Sequence, residues 1–446
     1  MNPMAPSRLT IRPGPGLGGR FRPPGDKSIT HRAYLLGALA AGTTVVENPN
    51  PGEDCAATLN ALAALGIHAE PTLEQVSITG RAMALVEPDR VLDCGNSGTT
   101  LRLMAGVLAA QPFLSVLTGD ASLCRRPVDR VIEPLRRMGA ELHARGDRLP
   151  PLVLRGAALR GIAYDLPVDS AQVAGCVLLA GLGASGTTAV ELGPARDHTE
   201  RMLEAFGVPV TRMPATRAGR EVRSLTGPAT PRGTRIRVPG DFSAAAFFLA
   251  AAAAVPGARV TAEGVGLNPT RTGLLEILES MGAQVESVAT AGRSGEPVGE
   301  ITVTGPERLV ACEIPAARIP GVIDEIPAWT LAAAAAHGTS RVSGAAELRV
   351  KESDRIATLV TGLGRLGVAV EERPDGLEIS GGAVRGGTVD AGGDHRMAMT
   401  FALLGTRARE AVTVTGAREI LTSFPDFVTT LEALGGRRDL EPVASA

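Results

Sequence analysis

PGDKS at residues 24–28 and PGDFS at residues 239–243 are one loop written twice. Each opens an apolar, alanine-rich run: ITHRAYLLGALAAG after the first, AAAFFLAAAAAVPG after the second. Four more polar loops lead into runs of the same kind: SGTTLRLMAGVLAA (97–110), SAQVAGCVLLAGLGASG (170–186), EIPAWTLAAAAAHG (325–338) and DHRMAMTFALLG (394–405). A strand-like run usually follows, such as TTVVENP or ARVTAEG. Then a second helix-like stretch ends in a bulky residue and a glycine. These glycines are Gly66, Gly139, Gly207, Gly282, Gly367 and Gly435, spaced 73, 68, 75, 85 and 68 residues apart. Short alternating runs (IHAEP, AELHA, VPVTR, AQVES) come next and read as strands. The predicted unit is therefore β-α-β-α-β-β, repeated six times. PGDKS and PGDFS stand three units apart, which predicts two sister domains with a junction near residue 238.

The first helices are apolar nearly all round, so each domain is expected to bury three of them with its sheets outside. Their polar loops then become a set of helix N-termini, which carry partial positive charge and free N–H groups and suit anions. The loops also hold fixed cations: Lys27 and Arg32, Arg125 and Arg126, Arg196, Lys351 and Arg355, and Arg396. Asn96, Ser97, Gly98 and Thr99 are small enough to let backbone N–H groups approach a ligand. One such loop would read as a helix cap or a solvated charge. A recurrence at equivalent repeat positions points instead to a small, multiply anionic ligand, bound where the two domains face one another. Asp324 and Glu352 sit among these cations and are candidates for proton transfer. Phe242 occupies the place of Lys27 in the fourth unit.

Composition excludes several other classes. Net charge is −2 and aromatic residues make up 3% of the chain, which gives no nucleic-acid footprint. The longest apolar run, Ala244 to Val255, is too short to span a bilayer, so no membrane partner is expected. Five scattered cysteines (Cys55, Cys94, Cys124, Cys176, Cys312) form no CxxC pair and suit a reducing, cytoplasmic compartment. GPGLGG at 14–19 matches G-x-G-x-x-G but leads into RFRPPGD rather than a helix, so it fails as a dinucleotide loop. The six histidines lack ligand spacing, so no metal is expected. Lysine is rare: Lys27 and Lys351 are the only two among 45 Lys+Arg residues. Unlike guanidinium, an ammonium is compact and can lose a proton, which marks both positions for close fit or proton handling.

Seven segments, in order, carry a family resemblance: PGDKSITHR, GNSGTTLRLM, SLCRRPVDRV, DSAQV, RVKESDR, DHRMAM and TSFPDF. Together they resemble the 5-enolpyruvylshikimate-3-phosphate synthases, over roughly residues 8 to 436. The resemblance implies a two-domain inside-out α/β barrel with six β-α-β-α-β-β repeats, three per domain. It implies domains at 23–238 and at 1–22 plus 239–446, with the active site in the cleft between them. The implied reaction moves the enolpyruvyl group of phosphoenolpyruvate to the 5-hydroxyl of shikimate 3-phosphate and releases phosphate, with no cofactor and no metal. By the same resemblance, Lys27, Ser28, Arg32, Ser170, Ala171, Gln172, Arg196, Asp324 and Lys351 contact shikimate 3-phosphate. Lys27, Gly98, Arg126, Gln172, Arg355 and Arg396 contact phosphoenolpyruvate. Asp324 is the implied base toward the 5-hydroxyl, and Glu352, helped by Lys27, handles the proton at C3. The chain is expected to work as a monomer.

Two positions qualify the resemblance. Thr422 stands where some members carry a lysine near phosphoenolpyruvate. Gly98 is the small residue of members sensitive to glyphosate. The sister family acting on UDP-N-acetylglucosamine is the alternative. It differs in its first-loop signature, and Cys124 is the one feature here that leans towards it.

Overall fold

The computed structural model describes residues 7–290, 292 and 295–439. Six four-stranded sheets and twelve α-helices make up the described residues. The helices are α1 (Lys27–Leu39), α2 (Glu53–Ala64), α3 (Gly98–Ala109), α4 (Asp129–Met138), α5 (Ala171–Gly181) and α6 (His198–Ala205), followed by α7 (Phe242–Ala253), α8 (Gly273–Ser280), α9 (Ile326–Ala333), α10 (Arg355–Arg365), α11 (His395–Gly405) and α12 (Phe427–Ala433). They fall into two compact domains. The first holds Gly25–Pro239 together with Gly292–Pro297, and the second holds the remaining described residues.

Odd-numbered helices are the apolar runs of the repeats, and they lie inside. Every residue of α7 is buried, as are Ile29–Leu39 of α1 and all of α9 and α11. In the first domain α3 packs on α1 and α5; in the second, α7, α9 and α11 pack on one another. Alanine and glycine are frequent in these helices, most of all in α7, where a helix surrounded by others needs small side chains for close approach. Even-numbered helices are amphipathic. In α4, Val131, Ile132, Leu135 and Met138 are buried, while Arg136 and Arg137 sit in the last turn, where the helix dipole favours cations.

All six sheets share one order, a parallel pair followed by antiparallel pairings, which close with a hairpin in five of them. The first sheet of the first domain borrows its edge strand Arg235–Arg237 from the end of the third repeat, pairing it with Thr43–Glu47. The N-terminal strand Arg8–Arg12 sits inside the sixth sheet, antiparallel to Val412–Thr415 on one side and to Arg437–Arg438 on the other. The strand Gly18–Phe21 pairs with Arg259–Gly266. The chain thus passes between domains within its two PGD loops, at Pro24/Gly25 and at Pro239/Gly240. Each loop is tied to the other copy's proline: Asp26 N–H donates to Pro239 O at 2.7 Å in the first domain, and Asp241 N–H to Pro24 O at 2.8 Å in the second. Among the described residues no helix is long and apolar enough to cross a membrane.

The six repeat glycines share one backbone state. Their φ angles are +79°, +117°, +80°, +101°, +82° and +94°, and each follows the C-terminus of an even-numbered helix. A left-handed residue here turns the chain sharply out of the helix and into the next strand. A Cβ at Gly207 would meet nothing closer than 3.7 Å, so its substitution reports backbone strain without a clash. Gly207→Ala is expected to lower stability by about 1 kcal/mol, measured by urea denaturation with an unchanged m-value.

Candidate active site

Five of the six odd-numbered helices begin with a capped turn. The caps are Asp26, Ser97, Ser170, Asp241 and Asp394, whose side chains accept from backbone N–H groups of the first turn. A cap that satisfies part of the turn internally holds it rigid, with its remaining N–H groups directed outward.

At the first of these turns Lys27 is the opening helical residue, and its Nζ lies 2.9 Å from Asp54 Oδ2. Both side chains are largely buried, at 13% and 10% exposure. Asp54 comes from the first turn of α2. Arg32, one turn further along α1, is buried, donating from its Nη1 to Ser28 O at 2.8 Å and from Nε to Thr199 Oγ1 at 2.8 Å. Thr199 is in the first turn of α6, directly after the loop that carries Arg196.

The second turn is organised by two arginines. Arg126 is buried and donates to Asn96 O at 3.0 Å, to Asn96 Oδ1 at 2.6 Å and to Ser122 Oγ at 3.0 Å. Arg102 Nη1 reaches Gln172 Oε1 at 3.0 Å, and Gln172 Nε2 donates to Thr99 Oγ1 at 2.9 Å. The starts of α3 and α5 are therefore stitched together through Gln172. A Cβ at Gly98 would lie 2.7 Å from Arg102 Nη1 and 3.6 Å from Arg126 Nη1. Glycine at 98 leaves that space to the two guanidiniums.

In the second domain the organising group is Arg355, whose side chain is 1% exposed. Its Nε donates to Asp394 Oδ2 at 2.7 Å, Nη2 to Glu352 Oε2 at 2.6 Å, and Nη1 lies 3.5 Å from Asp324 Oδ1. Burial opposes the charge on Arg355, but Asp394, Glu352 and Asp324 outweigh it and raise the pKa above its usual value. Lys351 Nζ stands 3.9 Å from Asp324 Oδ1. Its pKa is lowered, first by burial and then by the Arg355 charge, with Asp324 opposing. Since 30% of the Lys351 side chain remains exposed, water limits the size of that effect. Arg396 Nη1 donates to the Asp324 carbonyl at 2.9 Å, which pins the backbone of the Asp324 turn.

The structure thus brings Asp324, Lys351, Glu352, Arg355 and Arg396 into one cluster of the second domain. In the first domain it sets Lys27, Ser28 and Arg32 at the start of α1. Gly98, Arg126 and Gln172 meet around the start of α3, and Ser170 and Ala171 open α5. Sequence reasoning missed Asp54 and Arg102. Arg102 carried a readable signal, since it lies four residues after Gly98 and so returns to the same face one turn along. Asp54 had none beyond an acidic first turn. Thr422 is buried and donates its hydroxyl to Glu419 O at 2.8 Å, so it offers no cation at that position. The Cys124 thiol bonds to Gly119 O at 3.3 Å. Phe242 is packed wholly into the core of the second domain, which explains why the fourth loop can lack a cation.

Comparison with known proteins now bears on these clusters. A family profile described as EPSP synthase (3-phosphoshikimate 1-carboxyvinyltransferase) matches residues 11–431. The chain belongs to the EPSP synthase family. A 3-phosphoshikimate 1-carboxyvinyltransferase of Acidithiobacillus ferrooxidans is 50% identical over 433 residues, covering 96% of this chain and 98% of the relative. One from Xanthomonas campestris is 48% identical over 426 residues, covering 95% and 96%. The solved EPSP synthase of Acinetobacter baumannii superposes with a TM-score of 0.84 at 43% identity, covering 97% of this chain and all of the other. Every cluster described above lies inside the region the EPSP synthase profile matches.

Lys27 distinguishes charge from fit within this family site. Arginine at 27 keeps the charge but brings a larger, planar head to a largely buried position where Lys27 pairs with Asp54. Lys27→Arg is expected to lower kcat by about a hundredfold, read by steady-state phosphate release. Retained turnover would show that charge alone suffices.

Proposed function

We propose that this chain is a 3-phosphoshikimate 1-carboxyvinyltransferase, and that the two clusters supply its chemistry. The observation that carries the assignment of roles is the Arg355 cluster, where one buried guanidinium reaches Asp394 and Glu352 and stands near Asp324. A carboxylate held at fixed distance by a permanent cation is preorganised for proton transfer, because it need not reorganise as charge moves.

In this reading the 5-hydroxyl oxygen of shikimate 3-phosphate forms a bond to C2 of phosphoenolpyruvate. Its proton passes to Asp324. C3 takes a proton from Glu352, with Lys27 assisting, and a tetrahedral adduct results. The C–O bond from C2 to phosphate then breaks, Glu352 recovers a proton from C3, the double bond re-forms in the product, and the proton held by Asp324 leaves on the released phosphate. Lys27, Ser28, Arg32, Ser170, Ala171, Gln172, Arg196 and Lys351 hold shikimate 3-phosphate. Gly98, Arg126, Arg355 and Arg396, with Lys27 and Gln172, hold phosphoenolpyruvate. Each substrate is a polyanion, and the arginines offer bidentate donors suited to phosphate and carboxylate. The chain works as a cytoplasmic monomer, which sedimentation at working concentration checks.

Phosphate release from phosphoenolpyruvate plus shikimate 3-phosphate tests the activity, and UDP-N-acetylglucosamine in place of the second substrate should yield none. Asp324→Asn keeps the shape of the turn but removes the base. It is expected to bind both substrates and to lower kcat by about a hundredfold or more. Near-normal kcat in that variant would overturn the role of Asp324. Gly98→Ala forces the Arg102 guanidinium aside, so the glyphosate inhibition curve should move to higher concentration than in the wild type.

A further inference from the structure

Behind the start of α3 runs a line of four buried polar side chains that the roles above leave unused. His31 Nδ1 lies 2.7 Å from Thr58 Oγ1, and Thr58 Oγ1 lies 2.7 Å from Thr100 Oγ1. Thr100 Oγ1 donates to Ser97 Oγ at 2.7 Å. These residues come from α1, α2, α3 and the cap of α3. His31, Thr58 and Thr100 are fully buried, and Ser97 is 1% exposed.

Proton counting sets the direction of this line. His31 Nε2 is buried without a hydrogen-bond partner among the described residues. A bare lone pair is better tolerated there than an orphaned N–H, so the imidazole proton belongs on Nδ1 and is given to Thr58. Burial, then the nearby Lys27 and Arg32 charges, push the His31 pKa well below the usual imidazole range and keep the ring neutral. Thr58, having accepted, donates to Thr100, and Thr100 donates to Ser97. Ser97 Oγ also accepts the Thr100 backbone N–H at 3.1 Å as the helix cap. Both lone pairs of Ser97 are then filled, and its own O–H is left to donate.

We propose that the Ser97 hydroxyl is a hydrogen-bond donor to an anionic oxygen of phosphoenolpyruvate. His31, Thr58 and Thr100 are positioning residues that fix the sense of its O–H. The inference rests on the reading that phosphoenolpyruvate binds at the start of α3, beside Gly98. Thr58 matters because it fills one of the two acceptor lone pairs of Thr100, whose proton then goes to Ser97 at 2.7 Å rather than to Asp54 O at the longer 3.4 Å. Without Thr58 that lone pair is open to the Ser97 hydroxyl, the Thr100 proton can turn to Asp54 O, and the Ser97 proton turns inward.

The test pairs steady-state kinetics with calorimetric titration of phosphoenolpyruvate in the presence of shikimate 3-phosphate. Ser97→Ala is expected to raise KM and Kd for phosphoenolpyruvate about tenfold, the loss of one hydrogen bond to a charged group. The KM for shikimate 3-phosphate should stay unchanged. Ser97→Thr, which keeps a hydroxyl, should restore the wild-type value. Thr58→Val leaves the cap atoms of α3 in place and should shift the phosphoenolpyruvate KM in the same direction, which a purely structural role for Ser97 would not produce. Wild-type phosphoenolpyruvate binding in both Ser97→Ala and Thr58→Val, or a parallel rise in both KM values, overturns the proposal. If Ser97→Ala does not fold, Thr58→Val decides on the same criterion. A wild type that binds phosphoenolpyruvate but releases no phosphate sinks the functional reading alone; one that binds none sinks both.

Discussion

A helix that is apolar on every side can place polar chemistry only at its ends. That constraint governs this molecule. Burying α1, α3, α5, α7, α9 and α11 supplies the core of each domain and at the same time fixes six N-termini. At five of them the cap is a short acid or a serine, because the N–H groups of a buried first turn must be satisfied. The groups proposed to bind then follow these caps at one or two residues' remove: Lys27 after Asp26, Gly98 after Ser97, Ala171 and Gln172 after Ser170, and Arg396 after Asp394. Fold stability and the proposed chemistry thus meet at the same turns.

The two domains meet the problem of concentrated charge differently. In the second, one buried arginine is shared among carboxylates, so the ion cluster is nearly self-sufficient and its carboxylates are held in place. In the first, Lys27 pairs with Asp54, and Arg32 and Arg126 bond to neutral oxygens of Ser28, Thr199, Asn96 and Ser122.

Local signals made the repeat legible. The bulky-residue–glycine pairs could be read because a left-handed φ at the end of a helix depends on the residue itself, and glycine alone adopts it without cost. The odd-numbered helices could be read because burial on all sides erases polar positions from the sequence. Phe242 was legible as the odd member by direct comparison with Lys27. What could not be read was partnership across distance. The pairing of Lys27 with Asp54 depends on how α1 packs on α2, and the bond from Arg102 to Gln172 depends on the approach of α3 to α5. The inclusion of Gly292–Pro297 in the first domain also left no trace in the repeat pattern.

The place of Arg8–Arg12 inside the sixth sheet has a consequence for synthesis on the ribosome. The first domain is almost continuous in sequence, so nearly all of it has emerged once Pro239 is clear. The second domain needs Arg8–Arg12, made before the first domain, and Val412–Thr415 and Arg437–Arg438, made after it, because Arg8–Arg12 lies between them. For most of translation this strand therefore has both edges unpaired, with Leu9 and Ile11 lacking their core. Its flanking charges, Arg8 and Arg12, are the kind of residues that keep a waiting strand from pairing with the wrong neighbour. The order in which the chain is made thus demands solubility from a segment whose final position is deep in a sheet.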